Sequence, residues 1–280
     1  MKIKIVSDST CDLSREQIEK YDIRIMPLAV TMGEKNYRDG VDIAPADIYG
    51  HVAKGGDLPK TAANNIADYQ SVFAEYAKDY DAVIHLNISA GFSSCHQNAC
   101  LAAEEFDNVY VVDSCNLSTG HGLLVLRAAE LAEAGKTGAE IVEELRGMVD
   151  RVDASFILNQ LEYLKKGGRC SALTVLGANM LKLKPCIEVK DGKMGVGKKY
   201  RGAFEKCLKE YIHDRLADRD DLELDRVFVT HSGISKELVD MAVNTVRELQ
   251  PFKEICITQA GCTVSSHCGP DTIGVLYIRK

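Results

Sequence analysis

The sequence predicts an α/β protein, and three observations lead to that class. Short β-rich runs alternate with amphipathic helical segments along the whole chain. The runs 82–88 and 109–112 are almost continuously apolar, which is typical of parallel strands that helices cover on both faces. A chain of 280 residues also exceeds the roughly 100–200 residues of a usual single core. We therefore expect two domains, a three-layer α/β/α domain with a mainly parallel sheet at 1–155 and a smaller α/β domain with a mixed sheet at 156–280.

Capping sequences mark where helices begin in the first half. Ser14 and Gln17 have the capping-box spacing, in which each side chain binds the other residue's backbone N–H, and they follow a first β-rich run at 3–6. Thr137 and Glu140 repeat this spacing before a segment with an apolar face. A further helix is indicated by apolar side chains at helical spacing, namely Ile66, Tyr69, Phe73 and Tyr76.

The second half of the chain has a different pattern. Asp191 and Gly192 lie between two extended runs, and this dipeptide favours the tight turn of a β-hairpin. A long helix is expected from about Arg201, and a closing strand is expected at 274–278. The elements predicted between them are the strand 226–230, a helix across 234–249 and the strand 254–258.

Composition and charge exclude several classes of protein. The 34 basic and 41 acidic side chains leave a net charge of −7, so the chain lacks the basic excess that neutralises phosphates, and nucleic acid is not an expected partner. No run reaches the ~18 apolar residues of a membrane span, and Lys4 and Asp8 interrupt the first apolar run before it reaches signal-peptide length. We expect a cytoplasmic protein whose ten cysteines are reduced thiols.

Common cofactor and metal motifs are absent from the sequence. It contains no glycine-rich phosphate loop ending in Gly-Lys-Ser/Thr, no dinucleotide fingerprint after a strand and no His-Glu-x-x-His segment. The cysteines form no Cys-x-x-Cys pair, and Cys256, Cys262 and Cys268 lack the spacing of a structural zinc site. We therefore expect neither a metal ion nor a bound nucleotide.

Small polar clusters stand where predicted strands end, which is where open α/β sheets place their ligand crevice. The candidates for the cleft are Ser9 after the first strand, Asp113 and Ser114 after a later one, and Ser118 and Gly120 at the next helix start. Each cluster alone is more simply explained as a turn or a helix cap, because serine, glycine and aspartate are the usual residues there. Their recurrence after several strands favours a shared crevice.

One predicted helix start carries Ser93, Ser94 and Cys95. Free backbone N–H groups and serine hydroxyls at such a position suit an anion. The same segment approaches the Gly-x-Ser-x-Gly nucleophile motif, with Cys95 in place of the final glycine. An alternative function is therefore a serine hydrolase or esterase, in which Ser93 is the nucleophile, His267 is the base and an acidic residue such as Asp113 orients the histidine.

Two further polar residues lie in the second half. Arg169 follows two glycines at the end of a short helical run, where a helix C-cap with dipole-favoured basic residues is the simpler explanation. His267 lies in the turn-prone segment 265–270 just before the closing strand, where a lone histidine is usually structural.

These residues, in this order, resemble the DegV family of bacterial lipid-binding proteins, whose fatty-acid-binding members are the FakB-type subunits of fatty acid kinase. The resemblance covers nearly the whole chain. It rests on short motifs in register: Ser7-Asp8-Ser9-Thr10-Cys11-Asp12-Leu13, Tyr37-Arg38-Asp39, Pro59-Lys60-Thr61, the segment 89–99, Asp113-Ser114, the segment 161–169, Lys184-Pro185 and His267-x-Gly269-Pro270.

The resemblance implies a two-domain fold that buries one long-chain fatty acid between its domains and presents the carboxyl group to a separate ATP-dependent kinase for acyl phosphate formation. By the same resemblance, Thr61 and Ser93 hydrogen-bond the carboxylate. Arg169 and His267 complete the polar network at the mouth. The ligand-binding residues implied in this way are Thr61, Ser93, Ser94, Cys95, Arg169 and His267.

The chain departs from the family pattern at a few of these positions. Ala62 follows Thr61 where the family commonly has serine, Ser94 replaces a glycine and Cys95 replaces a threonine. The expected partners are a fatty acid and an acyl kinase protein. Transient contact with a membrane surface is compatible with the resemblance, whereas an integral membrane segment is not expected.

Overall fold

The computed structural model describes residues 1–173 and 183–280. Its strands are β1 Ile3–Asp8, β2 Arg24–Met26, β3 Ala29–Met32, β4 Lys35–Arg38, β5 Lys60–Ala62, β6 Ala82–Asn87, β7 Val109–Asp113, β8 Val152–Leu158, β9 Leu183–Lys190, β10 Lys193–Arg201, β11 Leu222–Ser232, β12 Glu254–Gln259 and β13 Thr272–Arg279. Its helices are α1 Arg15–Lys20, α2 Pro45–Ala53, α3 Ile66–Ala77, α4 Cys95–Ala103, α5 Ser118–Glu133, α6 Gly138–Met148, α7 Glu162–Gly167, α8 Phe204–Leu216, α9 Lys236–Leu249 and α10 Cys262–Cys268.

The first sheet has the strand order β2-β1-β6-β7, and every pairing in it is parallel. Successive side chains of its strands point to opposite faces of the sheet. Ile5 and Ile84 belong to the core shared with α5 and α6, whereas Val6 and Val83 belong to the core shared with α3 and α4. Because helices cover both faces, β6 is buried at all six positions. The predicted three-layer α/β/α arrangement with a parallel sheet is confirmed.

The second sheet is mixed, as predicted, with the strand order β10-β9-β8-β13-β11-β12. β11 pairs in parallel with β12, and the other neighbours are antiparallel. One face packs under α8 and α9. The other face contributes Phe156, Phe228 and Leu276 to the same core as α5 of the first domain. An apolar core therefore continues from one domain into the other.

Local turn and capping signals in the sequence are confirmed by the backbone. Ser14 with Gln17 and Thr137 with Glu140 both form complete capping boxes. Asp191 and Gly192 connect β9 to β10 with φ angles of 50° and 70°, which is the left-handed pair that a type I′ hairpin requires.

The main feature that the sequence analysis missed is a third, small antiparallel sheet with the order β4-β3-β5. Its strands have only three or four residues, which is too short for a clear alternation of apolar and polar side chains. The whole of β8 pairs within the second sheet, so the expected division at residue 155 falls inside a strand, and the division into 1–155 and 156–280 remains a prediction.

The turn expected around His267 was also wrong, because this segment is the helix α10. Six of its seven residues are buried, so the segment has no polar face and no amphipathic period to reveal it. Within residues 1–173 and 183–280, no helix is both long enough and apolar enough to cross a membrane.

Candidate ligand-binding site

A cavity of about 430 Å³ lies between the two domains. Its volume is within the roughly 300–1,000 Å³ range of small-molecule sites. Both domains contribute apolar walls, namely Leu28, Ala63, Ile88, Phe92, Leu117, Leu164, Met194, Val264 and Cys268. Its polar lining residues are Thr61, Asn65, Ser93, Ser94, Asn98, Arg169, Thr263 and His267. Most of these polar residues are partly or fully exposed, whereas most of the apolar ones are buried, so the cavity has an apolar interior and a polar mouth.

Thr61 and His267 form a hydrogen bond across the mouth. Thr61 is the middle residue of β5, and His267 lies in the last turn of α10. The distance from Thr61 Oγ1 to His267 Nε2 is 2.8 Å, and it joins residues 206 positions apart in the chain. The sheet that the sequence analysis missed is thus the element that brings Thr61 to the histidine.

The imidazole of His267 is held neutral by its surroundings. Burial, with a further contribution from the nearby Arg169 guanidinium, lowers the pKa of His267 from 6.5 to about 4. Gly167 packs directly against the ring, since a Cβ atom at that position would lie 2.5 Å from His267 Nδ1. A glycine is therefore needed beside the imidazole, and any side chain there would displace it.

Arg169 stands at the exposed end of the mouth. Gly168 has a φ angle of 70° and ends α7 in the left-handed conformation that glycine adopts without strain. This turn brings the chain to Arg169, whose Nη1 donates a hydrogen bond of 2.9 Å to the carbonyl oxygen of Gly167. The guanidinium keeps four further N–H groups for other acceptors.

Ser93 and Ser94 line the cavity at the start of α4, but Cys95 does not. Ser93 Oγ accepts a hydrogen bond from the Cys95 N–H at 3.3 Å and lies 3.1 Å from Cys95 Sγ. The thiol is fully buried behind Ser93, and burial raises its pKa to about 11. Cys95 is therefore a neutral core thiol that supports the position of Ser93, and, contrary to the expectation for a ligand-binding residue, it does not line the cavity.

The five cleft candidates at strand ends do not line this cavity. Asp113 accepts hydrogen bonds from the N–H groups of Ala90 and Cys115, and Ser114 Oγ donates to the carbonyl oxygen of Asn116. Gly120 is packed so closely that an added Cβ would lie 2.5 Å from the side-chain oxygen of Asn116. These three residues shape the loops around the site and are satisfied within them.

The other two cleft candidates, Ser9 and Ser118, bind acidic side chains. Ser9 Oγ donates to Asp39 Oδ2 at 3.0 Å, and Ser118 Oγ donates to Asp12 Oδ2 at 2.5 Å. Ser118 also lines a much smaller cavity of about 30 Å³ that shares Leu117, Val264 and Cys268 with the main one. The hydroxyls of both serines are therefore bound to neighbouring carboxyl groups.

The three side chains of the hydrolase alternative are not arranged as a catalytic triad. The hydrogen-bond partner of His267 Nε2 is Thr61, the partners of Ser93 are the N–H and thiol of Cys95, and Asp113 binds backbone N–H groups. A nucleophile needs a base within hydrogen-bond reach and an orienting group on that base. Neither contact is present among Ser93, His267 and Asp113.

Sequence reasoning missed several residues that line the cavity. Asn65 caps α3, accepting from the Asp68 N–H at 3.0 Å, and the Asn-x-x-Asp spacing was the signal that could have revealed this helix start beside Thr61. Thr263 lies in the first turn of α10, and its buried hydroxyl has no hydrogen-bond partner within 1–173 and 183–280. In the same ranges, no group of three or more His, Cys, Asp or Glu side chains is arranged to hold a metal ion.

Fold and site together define a class of protein: two α/β domains that enclose an apolar cavity with hydrogen-bonding groups at its mouth. The chain belongs to the DegV family, since the model of that family, described as uncharacterised DegV proteins, matches residues 2–280. The resemblance found in the sequence is therefore confirmed.

Proteins similar to this chain cover its whole length. A DegV domain-containing protein of Clostridium perfringens is 32% identical over 283 residues, which covers 100% of this chain and 99% of that protein. The solved structure of a fatty-acid-binding DegV family protein from Thermus thermophilus is 30% identical, has a TM-score of 0.91 and covers 100% of both chains. A stearic acid-binding protein from Eubacterium ventriosum is 30% identical with a TM-score of 0.83, covering 99% of this chain and 98% of the other. DegV proteins with this fold thus include binders of fatty acids.

Proposed function

We propose that this protein binds one long-chain fatty acid in the interdomain cavity and presents the carboxylate to a separate ATP-dependent kinase, which converts it to an acyl phosphate. The observation that carries the proposal is the hydrogen bond between Thr61 and His267 at the polar mouth of an otherwise apolar cavity. The fatty-acid-binding relatives support the same class of ligand.

The apolar walls account for retention of the acyl chain. Burial of a methylene group stabilises a complex by about 0.8 kcal/mol, so a chain of about sixteen carbons gains roughly 12 kcal/mol before ordering costs are subtracted. Leu28, Phe92 and Leu117 from the first domain line this space together with Met194 and Val264 from the second. A ligand that fills the cavity therefore contacts both domains.

The polar mouth accounts for recognition of the carboxylate. A carboxylate that leaves water is costly unless donors replace its hydration. In the Nε2–H tautomer, His267 donates to Thr61 Oγ1, and the threonine hydroxyl hydrogen is then free to point at the ligand. Ser93 supplies a second hydroxyl, and the exposed Arg169 supplies N–H groups at the solvent side.

Neutral hydrogen-bonding groups around the carboxylate suit a reaction in which a kinase transfers a phosphoryl group to it. Thr61, Ser93 and the neutral His267 orient the carboxylate without the full charge neutralisation of a buried ion pair, so one oxygen stays nucleophilic. In the proposed transfer this oxygen forms a bond to the γ-phosphorus of ATP while the bond between that phosphorus and the β,γ-bridging oxygen breaks, and ADP leaves. Positioning provides most of the catalysis in such reactions.

Native mass spectrometry tests the binding step. The purified protein, and protein stripped of lipid and then incubated with palmitate, should each carry about one fatty acid per chain. Val264→Trp should prevent uptake because it fills the cavity, whereas Ile257→Trp, at an exposed strand position, should bind like the parent. Absence of lipid in both parent samples would contradict the proposal.

The transfer step needs a separate measurement. The loaded protein is mixed with ATP and a purified bacterial acyl kinase, and acyl phosphate is trapped with hydroxylamine and quantified. We expect product only when the protein, the kinase and ATP are all present. Normal fatty acid binding with no product from any acyl kinase tested would support the proposed ligand and contradict the proposed kinase partner.

A further inference from the structure

Two acidic side chains of the first domain bind the start of α10, the helix that carries His267. The Cys262 N–H donates to Asp39 Oδ1 at 2.6 Å, and the Thr263 N–H donates to Asp39 Oδ2 at 3.0 Å. The Gly261 N–H donates to Asp12 Oδ1 at 2.8 Å. Three of the four N–H groups that a helix start leaves free are thus bound by side chains from far along the chain.

Both acids are themselves held in place. Asp39 is 3% exposed and Asp12 is 5% exposed, and each receives a serine hydroxyl, from Ser9 and Ser118 respectively. Burying two acids side by side is costly, because each loses its hydration. Such an arrangement persists when its hydrogen bonds replace the lost water, and every carboxyl oxygen here has at least one.

We propose that Asp39 and Asp12 are positioning residues that fix the orientation of α10 and thereby place His267 against Thr61 at the ligand carboxylate. This inference rests on the proposed function. α10 has seven residues, so a small change in its axis at Cys262 is carried directly to His267 and to the cavity-lining Val264. The acids come from the first domain and the helix from the second, so the contact also sets the distance between the two sides of the cavity.

A purely stabilising role of these hydrogen bonds and a positioning role predict different results. Loss of a purely stabilising cap lowers the free energy of unfolding, but the molecules that remain folded bind the ligand with unchanged affinity. A positioning residue changes the hydrogen bond of His267 and the affinity for the carboxylate even when the variant is fully folded.

The test uses Asp39→Asn, which keeps one acceptor oxygen and loses the other. With isotope-labelled histidine, the imidazole nitrogen resonances of His267 should shift in the ligand-free variant. Palmitate should bind about tenfold more weakly, as expected when a hydrogen bond to a charged group is weakened indirectly. Glu140→Gln, which alters an exposed helix cap of α6, should leave both measurements unchanged.

A double-mutant cycle with His267→Ala completes the test. If Asp39 acts through His267, Asp39→Asn should weaken palmitate binding much less in the His267→Ala background than in the parent. Equal losses in both backgrounds, or an unshifted His267 resonance, would overturn the proposal. If Asp39→Asn does not fold, Ser9→Ala removes one hydrogen bond from Asp39 and should give a smaller shift in the same direction.

The resonance measurement separates this inference from the proposed function. If the parent protein binds no fatty acid, the proposed function fails, whereas the His267 resonances of ligand-free Asp39→Asn still report whether the acid positions the imidazole. If the parent binds palmitate and the variant behaves like the parent, the positioning role fails and the proposed function stands.

Discussion

Thr61→Val isolates the hydroxyl that binds His267 and that we propose also binds the ligand. Valine keeps the branched shape of threonine, so β5 should retain its pairing with β3. The change removes the oxygen that lies 2.8 Å from His267 Nε2, and with it the proposed donor to the ligand carboxylate. The hydrogen bond to a charged group contributes about 1.5–3 kcal/mol, which corresponds to roughly 10- to 150-fold in affinity. Since the imidazole also loses its partner, we expect a value in the upper half of that range.

Titration calorimetry with two ligands of equal chain length provides the assay. Palmitate should bind far more weakly to Thr61→Val than to the parent, whereas the corresponding alcohol, which has no charge, should lose only severalfold. Thr31→Val is a matched control, since Thr31 lies on the neighbouring strand β3 and its hydroxyl donates to Asn36 at an exposed site. Equal losses for acid and alcohol, or no loss for either, would refute the assignment of Thr61 to the carboxylate.

Three further predictions concern protonation and reactivity. The pKa of His267 is about 4 in the folded protein against an ordinary 6.5, so its contribution to stability is complete above pH 6.5 and is lost as the pH falls through 4. In urea denaturation the parent should therefore lose up to ~3 kcal/mol more than His267→Gln between pH 7 and pH 4, and equal losses would contradict this. Burial, with Asp39 and Asp8 nearby, raises the pKa of Asp12 from 3.8 to about 8. The free energy that this carboxyl group costs the folded state therefore grows as the pH rises from 3.8 to 8. The stability of Asp12→Asn relative to the parent should rise from pH 5 to pH 9, and a constant difference would contradict this. A fluorophosphonate probe should leave Ser93 unlabelled, because the partners of its hydroxyl in the described part of the chain are the N–H and thiol of Cys95 and not a base. Labelling at that residue would restore the hydrolase alternative.

Much of the fold could be predicted from sequence because its signals are local. The capping boxes at Ser14 and Thr137 and the turn at Asp191 each depend on neighbouring residues, and the structure has all three. The buried strand β6 was recognisable because helices cover both of its faces. The three-stranded sheet and α10 were missed because short or fully buried segments have no periodic pattern.

The site was less accessible to sequence reasoning. The sequence does not distinguish the serines and aspartates at strand ends that line a cavity from those that bind other parts of the protein. Ser9, Asp113 and Ser118 belong to the second kind. Cys95 lies next to a lining residue in sequence but points into the core. Whether a loop residue faces a cavity depends on the side on which its backbone turns, and neighbouring residues often face opposite ways.

The sequence by itself determined the α/β class, the order of the main elements and, through motifs spread along the chain, the DegV family. Only the tertiary structure decided that Thr61 meets His267 across 206 positions of the chain and that Asp39 binds the start of α10. The physical reason is that hydrogen bonds between distant segments depend on how the two domains pack, whereas helix caps, tight turns and strand burial depend on residues only a few positions apart.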